Sequence, residues 1–461
     1  MSTSLLFESL SISAGQKENL KANGYLEMTP IQQQTLPSTL AGKDILAQAA
    51  TGSGKTLAFG LPLVERLNPT AYFVQALVLC PTRELAGQVA EELRKLARHP
   101  GNIKVLTICG GQPIGPQIGS LEHGAHVIVG TPGRIVDHLR KRTLDLSRIS
   151  TLVLDEADRM LDMGFQDDLQ TILNQTPTSR QTMLFSATYP ENIAQMSEEH
   201  LKNLVEVRIE QPPEKISNIT HRVYKCERSE QALGVLSILT QQLPESAIIF
   251  CNTKEGCNQL SQALREDGIK SGTLHGDLEQ RDRDQMLVRF SNGSIRFLIA
   301  TDVAARGLDI DTVDLVINAD LPSDAATYVH RCGRTGRAGR SGLAVSLAGS
   351  RDGRRLENIN RENNLALEPK PLPKAAINQV IKLQSDLRTI AISMGRKNKI
   401  RPGDIVGALT ATKEIAGNQI GSIQVQDFTS YVALPRTLAD RAVEILRQRP
   451  LKGKPARARK I

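Results

Sequence analysis

The chain has 461 residues, 40% of them hydrophobic, and a formal net charge of +8. Length and apolar content suggest about three domains with sizeable cores, at ~100–200 residues each. No run approaches the ~18 apolar residues of a membrane span, and the six cysteines hold no C-x-x-C pair, which argues against structural zinc or a disulfide framework and for reduced thiols. The N-terminal stretch lacks a basic region followed by a long apolar one, so it is not read as a signal peptide, and a cytoplasmic location is expected. Charge is unevenly spread: residues 381–461 carry 16 Lys+Arg against 6 Asp+Glu, a balance of +10, so the rest is at −2. A nucleic-acid-binding appendage at the C-terminal end is expected.

Short β-rich runs alternate with helical patterns from residue 40 to about 350, predicting α/β folds with parallel sheets and covering helices. In chain order the strands of the first half are Asp44–Gln48, Ala76–Cys80, Ile103–Ile108, Ala125–Val129, Thr151–Leu154 and Thr182–Phe185. A polar stretch with Pro212-Pro213 reads as a linker. Strands then resume at Ala247–Asn252, Phe297–Ala300, Leu315–Asn318 and Leu343–Leu347, and the Pro-rich segment 368–374 precedes the basic tail. The tail reads as β-α-β-β-α-β: strand Asp404–Thr410, a short helix around Ile415–Gly421, strands Ser422–Gln426 and Ser430–Leu434, helix Leu438–Arg447 and strand Ala456–Lys460.

The distinctive residues fall just past the strands of the first two thirds, where open α/β sheets bind their ligands. Ala49-Ala50-Thr51-Gly52-Ser53-Gly54-Lys55-Thr56 follows the first strand. Its glycines let backbone N–H groups face phosphate oxygens at a helix start, Lys55 would neutralise the β- and γ-phosphates, and Thr56 would offer a hydroxyl to Mg²⁺. Asp155-Glu156-Ala157-Asp158 follows Thr151–Leu154. Asp155 is the expected second magnesium carboxylate, and Glu156 is set to orient and deprotonate an attacking water. Either motif alone is weak, but in this order they predict a nucleoside triphosphatase. Further on, His330-Arg331-Cys332-Gly333-Arg334-Thr335-Gly336-Arg337 supplies arginines for the developing charge on a γ-phosphate. Arg334 and Arg337, three apart, are expected on one helical face. If they come from a second domain, hydrolysis requires the two domains to close.

Phe7, Gly24-Tyr25, Thr29-Pro30-Ile31-Gln32, Ala49–Thr56, Pro81–Leu85, Gly110-Gly111, Thr131–Arg134, Asp155–Asp158, Ser186–Thr188, His275-Gly276-Asp277, Thr301-Asp302, Arg306–Asp309 and His330–Arg337 together form a known set. The chain resembles the DEAD-box ATP-dependent RNA helicases over about residues 1–350. The resemblance implies two tandem RecA-like domains, 1–207 (with an adenine-reading segment at 5–33) and 219–367, joined by a linker at 208–218. It implies that Gln32 reads the adenine edge with Phe7 beside it, making the nucleotide ATP, and that Asp309 contacts the ribose. Ser186 and Thr188 would couple nucleotide state to RNA through Asp158 and His330. Arg83, Gly111, Thr131, Arg134, Gly276 and Thr301 would line the RNA backbone path. Backbone contacts carry no base information, so the address must lie elsewhere.

A second linker, 368–380, leads to the tail domain, 381–461, read as RNA-recognition-motif-like. Its aromatics are reduced to Tyr431 and nearby Phe428, so stacking across the sheet is not expected. Contact is expected instead through Arg396, Lys397, Lys399 and Arg401, and through Lys452, Lys454, Arg457 and Arg459. The segment Met394–Leu409 with Leu451–Lys454 resembles the C-terminal domain of the bacterial DbpA subfamily. That resemblance implies binding to a hairpin of large-subunit ribosomal RNA, local unwinding of short duplexes in pre-ribosomal particles during assembly of the large subunit, and a monomer. The competing readings are a DNA helicase of related core, disfavoured by Gln32 and Ser186–Thr188, and an ATP-gated RNA clamp, disfavoured by the intact Lys55, Glu156, Arg334 and Arg337.

Overall fold

The computed structural model describes residues 5–49, 52–99, 101–189, 191–209, 218–305, 313–336 and 341–461. The chain forms two units, the first ending and the second beginning within 210–217.

In the first unit, strands β1 (Ile45–Gln48), β2 (Ala76–Leu79), β3 (Val105–Ile108), β4 (Val127–Gly130), β5 (Thr151–Asp155), β6 (Gln181–Ser186) and β7 (Val205–Arg208) form one sheet in the order 3-4-2-5-6-1-7. Every pair in it is parallel. The inner strands β1, β2, β4 and β5 read as near-continuous apolar runs because both of their faces are covered. Ile45, Ala47, Val78, Val153, Met183 and Phe185 join one core, while Leu46, Leu77, Leu79, Leu152, Leu154 and Leu184 join the other.

The second unit repeats the plan. Strands β8 (Ile219–Lys225), β9 (Ala247–Phe250), β10 (Ser271–Leu274), β11 (Phe297–Ala300), β12 (Leu315–Asn318), β13 (Gly342–Ala348) and β14 (Pro369–Lys370) lie in the order 10-11-9-12-13-8-14. The parallel α/β architecture expected from the alternation is found in both units. The strands absent from the sequence reading are β7, β8, β10 and β14. They are polar or short and lie toward the sheet edges, where one-sided burial dilutes the apolar signal.

The second unit also carries the tail, a four-stranded antiparallel sheet of β15 (Leu387–Ile392), β16 (Ile423–Val425), β17 (Ser430–Pro435) and β18 (Ala458–Lys460) in the order 16-17-15-18. The β-α-β-β-α-β order holds, but its first half is corrected. Asp404–Thr410 is a helix, not a strand, and the first strand lies upstream at β15. Pro402 at the helix start fixes φ, Asp404 accepts from the Arg401 N–H at 2.8 Å, and Ile405 and Leu409 bury one face four residues apart. The expected short helix at 415–421 is only a single turn, Gly417–Gln419.

Both faces of the tail sheet are covered. Ile390, Ile392, Val432 and Leu434 face the domain's own helices, Pro402–Thr410 and Ala439–Gln448. The alternate residues Ala391 and Tyr431 pack on Val288 of helix Gln280–Ser291. Thr389 shares hydrogen bonds with Asn292 (2.9 Å) and Ser294 (2.6 Å), and Ser385 donates to the Gly293 carbonyl at 2.6 Å.

Candidate functional site

Helix Lys55–Glu65 starts directly after β1 and the phosphate-type loop, so its first N–H groups point out of the carboxyl edge of the sheet. Gly54 has φ +93°, and a Cβ there would collide with the Gln32 amide, so the position requires glycine. Gln32 in turn accepts from the Thr29 N–H at 2.8 Å and donates to the Gly54 carbonyl at 3.0 Å. The adenine-reading candidate is thus wired to the phosphate loop through one side chain. Phe7 is buried and its N–H donates to Leu26, which holds the N-terminal segment beside Gln32's helix, Pro30–Leu40. Lys55 is buried and donates to the Ala49 carbonyl at 3.0 Å, inside the loop. Ala50 and Thr51 lie outside the described residues.

Asp155 is the last residue of β5, two strands from β1, and is buried. Burial pushes its carboxyl up to about 6, helped by the Glu156 charge and opposed by Lys55. Its Oδ1 is buried without a hydrogen-bond partner among the described residues. An orphaned carboxylate oxygen is the donor a hard cation such as magnesium takes, and the hydroxyl of Thr56 is of the same class. Among the described residues no cluster of three or more His, Cys, Asp or Glu forms a metal cage.

Glu156 occupies left-handed backbone space, φ +55°, a costly conformation for a non-glycine residue. Its Oε2 accepts from Arg159 at 2.6 Å, and both side chains are buried. Asp158 accepts from both the backbone N–H (2.9 Å) and the hydroxyl (2.8 Å) of Thr188, whereas Ser186 donates to the Thr188 carbonyl at 2.6 Å. Of the two coupling candidates, Thr188 therefore touches Asp158 directly and Ser186 acts one step back, by shaping the Thr188 turn.

The backbone-path candidates of the first unit also converge. The Arg83 guanidinium lies against Gly111, Arg134 donates to the Gln112 carbonyl at 3.0 Å and to Gln117 at 3.1 Å, and the Thr131 N–H donates to the Ile108 carbonyl. In the second unit the Thr301 N–H donates to the Leu274 carbonyl, at the strand end that leads into His275 and Gly276.

The arginine motif departs from expectation. Helix Ala325–Cys332 ends where Gly333 caps it, so His330 sits in a last turn and Arg334 lies beyond the helix. Of the expected pair, Arg334 lies past the helix end capped by Gly333 rather than on a helical face. Arg334 is buried, and Arg337 and Asp309 lie outside the described residues. The residue that sequence reasoning passed over is Arg331. It is 2% exposed and donates to Asp302 (2.6 and 2.7 Å), Asn252 (2.7 Å), Asn318 (3.3 Å) and the Asp320 carbonyl (2.7 Å). These partners sit at or just past the ends of β11, β9 and β12, three neighbouring strands. A planar five-donor fork suits such a junction.

Residues 29–196 match the DEAD/DEAH box helicase family, 228–339 the helicase conserved C-terminal domain and 389–460 the DbpA RNA binding domain. The chain is 47% identical to the ATP-dependent RNA helicase DbpA of Escherichia coli (strain K12), over 96% of both chains. The chain belongs to the DEAD-box ATP-dependent RNA helicases, in the DbpA group. The DbpA protein of Bacillus subtilis (strain 168) is 36% identical over 98% of this chain and 99% of that one. Among solved structures, Saccharomyces cerevisiae Dbp5 bound to RNA and ADP BeF3 matches with a TM-score of 0.72 at 31% identity, covering 82% of this chain and 98% of that one. The DEAD-box helicase is thus an ATP-dependent, RNA-acting enzyme with two parallel-sheet units and a small C-terminal RNA-binding domain. Among the described residues no helix is long and apolar enough to cross a membrane.

Proposed function

We propose that this DbpA-type helicase hydrolyses Mg²⁺-ATP to open short RNA duplexes in large-subunit ribosomal RNA, and is sent there by residues 381–461. Gln32 and Phe7 hold the adenine and Asp309 the ribose. Ala49–Thr56 cradle the phosphates, with Lys55 leaving the Ala49 carbonyl for the β- and γ-oxygens. Thr56 and Asp155 hold magnesium, which when bound neutralises phosphate charge. Glu156 takes a proton from the water whose oxygen attacks the γ-phosphorus; the bond from phosphorus to the bridging oxygen breaks, leaving ADP and phosphate. Arg334 and Arg337 stabilise the charge that spreads over the γ-oxygens. Thr188, Ser186, Asp158 and His330 link that chemistry to RNA held by Arg83, Gly111, Thr131, Arg134, Gly276 and Thr301.

The observation that carries the address is the tail itself: a folded domain with a balance of +10, matched over 389–460 to an RNA binding domain. Backbone-reading cores discriminate little between RNAs, so a separate basic domain is where selectivity arises. Its target is a hairpin of large-subunit ribosomal RNA in pre-ribosomal particles, and the enzyme works in the cytoplasm as a monomer. The test removes residues 381–461. Half-maximal ATPase stimulation by ribosomal RNA is expected to rise to that of random RNA of equal length. Retained preference for ribosomal RNA would refute the reading.

A further inference from the structure

The tail has only two aromatic residues, Phe428 and Tyr431, and the fold places them oppositely, one covered and one exposed. Tyr431, on the sheet position where an RNA-recognition motif stacks bases, is 3% exposed and packed on Val288. Thr389 and Ala433 are fully buried on the same covered side. That sheet face is unavailable to a nucleotide. Phe428, at the tip of the β16–β17 turn, is 71% exposed.

One exposed phenylalanine is ordinary. This one differs in what the backbone fastens beside it. The Arg396 N–H donates to the Gln426 carbonyl at 2.8 Å and the Lys397 N–H to the Asp427 carbonyl at 2.9 Å. The basic turn Arg396–Asn398 is thereby strapped along the strand end that leads into Phe428. Gly395 makes the strap possible, since a Cβ there would overlap both carbonyl oxygens. Lys399, at φ +61°, closes the turn, and Arg396, Lys397, Lys399 and Arg401 all lie at the surface. Asp404 then ties the Arg401 N–H (2.8 Å) and Lys452 (3.4 Å) together, extending the positive surface to the second basic loop.

We propose that Phe428 is the base platform of this domain: an unpaired nucleobase of a hairpin loop stacks on its ring while the phosphates on either side lie against Arg396–Arg401 and Lys452. A ring flanked by cations is how single-stranded RNA is held without a sheet face, since every base offers a π-surface and every linkage a charge. The proposal rests on the reading that residues 381–461 direct the enzyme to structured RNA.

The protein lacks tryptophan, so Phe428→Trp installs a single reporter in the full chain. Titrated with an RNA hairpin bearing an unpaired loop, its emission is expected to be quenched at saturation, with affinity close to the parent's. Phe428→Ala is expected to weaken hairpin binding on the order of 10- to 100-fold, leave a blunt duplex of equal length unaffected, and keep the parent's salt dependence. Phe428→Leu, which keeps apolar area without the ring, should behave as alanine does. Lys397→Gln should instead lower the salt slope by about one. Indole emission of Phe428→Trp left unquenched with hairpin bound, equal loss on hairpin and duplex, or a Phe428-dependent dimer in sedimentation would each overturn the proposal. If Phe428→Ala binds as the parent does while removal of 381–461 abolishes RNA preference, the stacking fails and the addressing role stands.

Discussion

The carboxyl ends of the two seven-stranded sheets are built alike and finished differently. At the end of β5 the charged groups are left with something to do: Asp155 Oδ1 is buried without a partner among the described residues, and Glu156 is held in left-handed space by one ion pair to Arg159. At the ends of β11, β9 and β12 the charged group is closed off, with Arg331 donating five hydrogen bonds to Asp302, Asn252, Asn318 and Asp320. An unsatisfied buried oxygen is a cost that a ligand can relieve, whereas a satisfied buried arginine is a fastening. This contrast supports the proposed chemistry at the acidic end, and it points to Arg331 as a positioning residue for three strand ends.

The largest effect expected is at Glu156. Glu156→Gln keeps the shape and an acceptor for Arg159 but not the base, and should lower RNA-stimulated turnover by about 10²–10⁴-fold with ATP and RNA binding retained. Turnover within a few-fold of the parent's would show that the acidic end is not where the water is activated. Arg331→Ala should break the other half of the comparison through stability. Losing one partner of a buried ionic network costs about 3–5 kcal/mol, so the second unit should melt earlier while nucleotide-independent properties of the first unit stay put. A melting temperature unchanged by Arg331→Ala would demote the cage to decoration.

The smallest effect is a pH dependence. The Asp155 carboxyl is raised from 3.8 to about 6, chiefly by burial. A folded-state value above the unfolded one means the native chain holds that proton more tightly. Its contribution to stability is fully present below about pH 4 and is lost as pH rises through about 6. In nucleotide-free protein, the melting temperature of Asp155→Asn relative to the parent should therefore climb between about pH 4 and 6.5 and level off above. A difference that does not vary with pH would mean that the aspartate is not desolvated as its burial implies.

The doubly covered strands of both sheets were legible because a strand buried on two faces is apolar throughout, as at β9 and β11. The half-exposed β8 and the polar β10 were not, since their patterns resemble loops. Asp404–Thr410 misled for a related reason: a short stretch with two buried apolar positions fits either period until the Pro402 and Asp404 cap is weighed. Arg331 was hidden because its partners come from three strands that lie far apart in sequence.

Local sequence alone determined the phosphate loop, the acidic tetrad and the basic tail, because their chemistry depends on residue type and close spacing. It also determined the family, through the order of those motifs. Which groups stay open and which are fastened was decided only in three dimensions. Burial and hydrogen bonding are properties of neighbours far apart in the chain, and they alone separate Asp155 from Arg331 and the covered Tyr431 from the exposed Phe428.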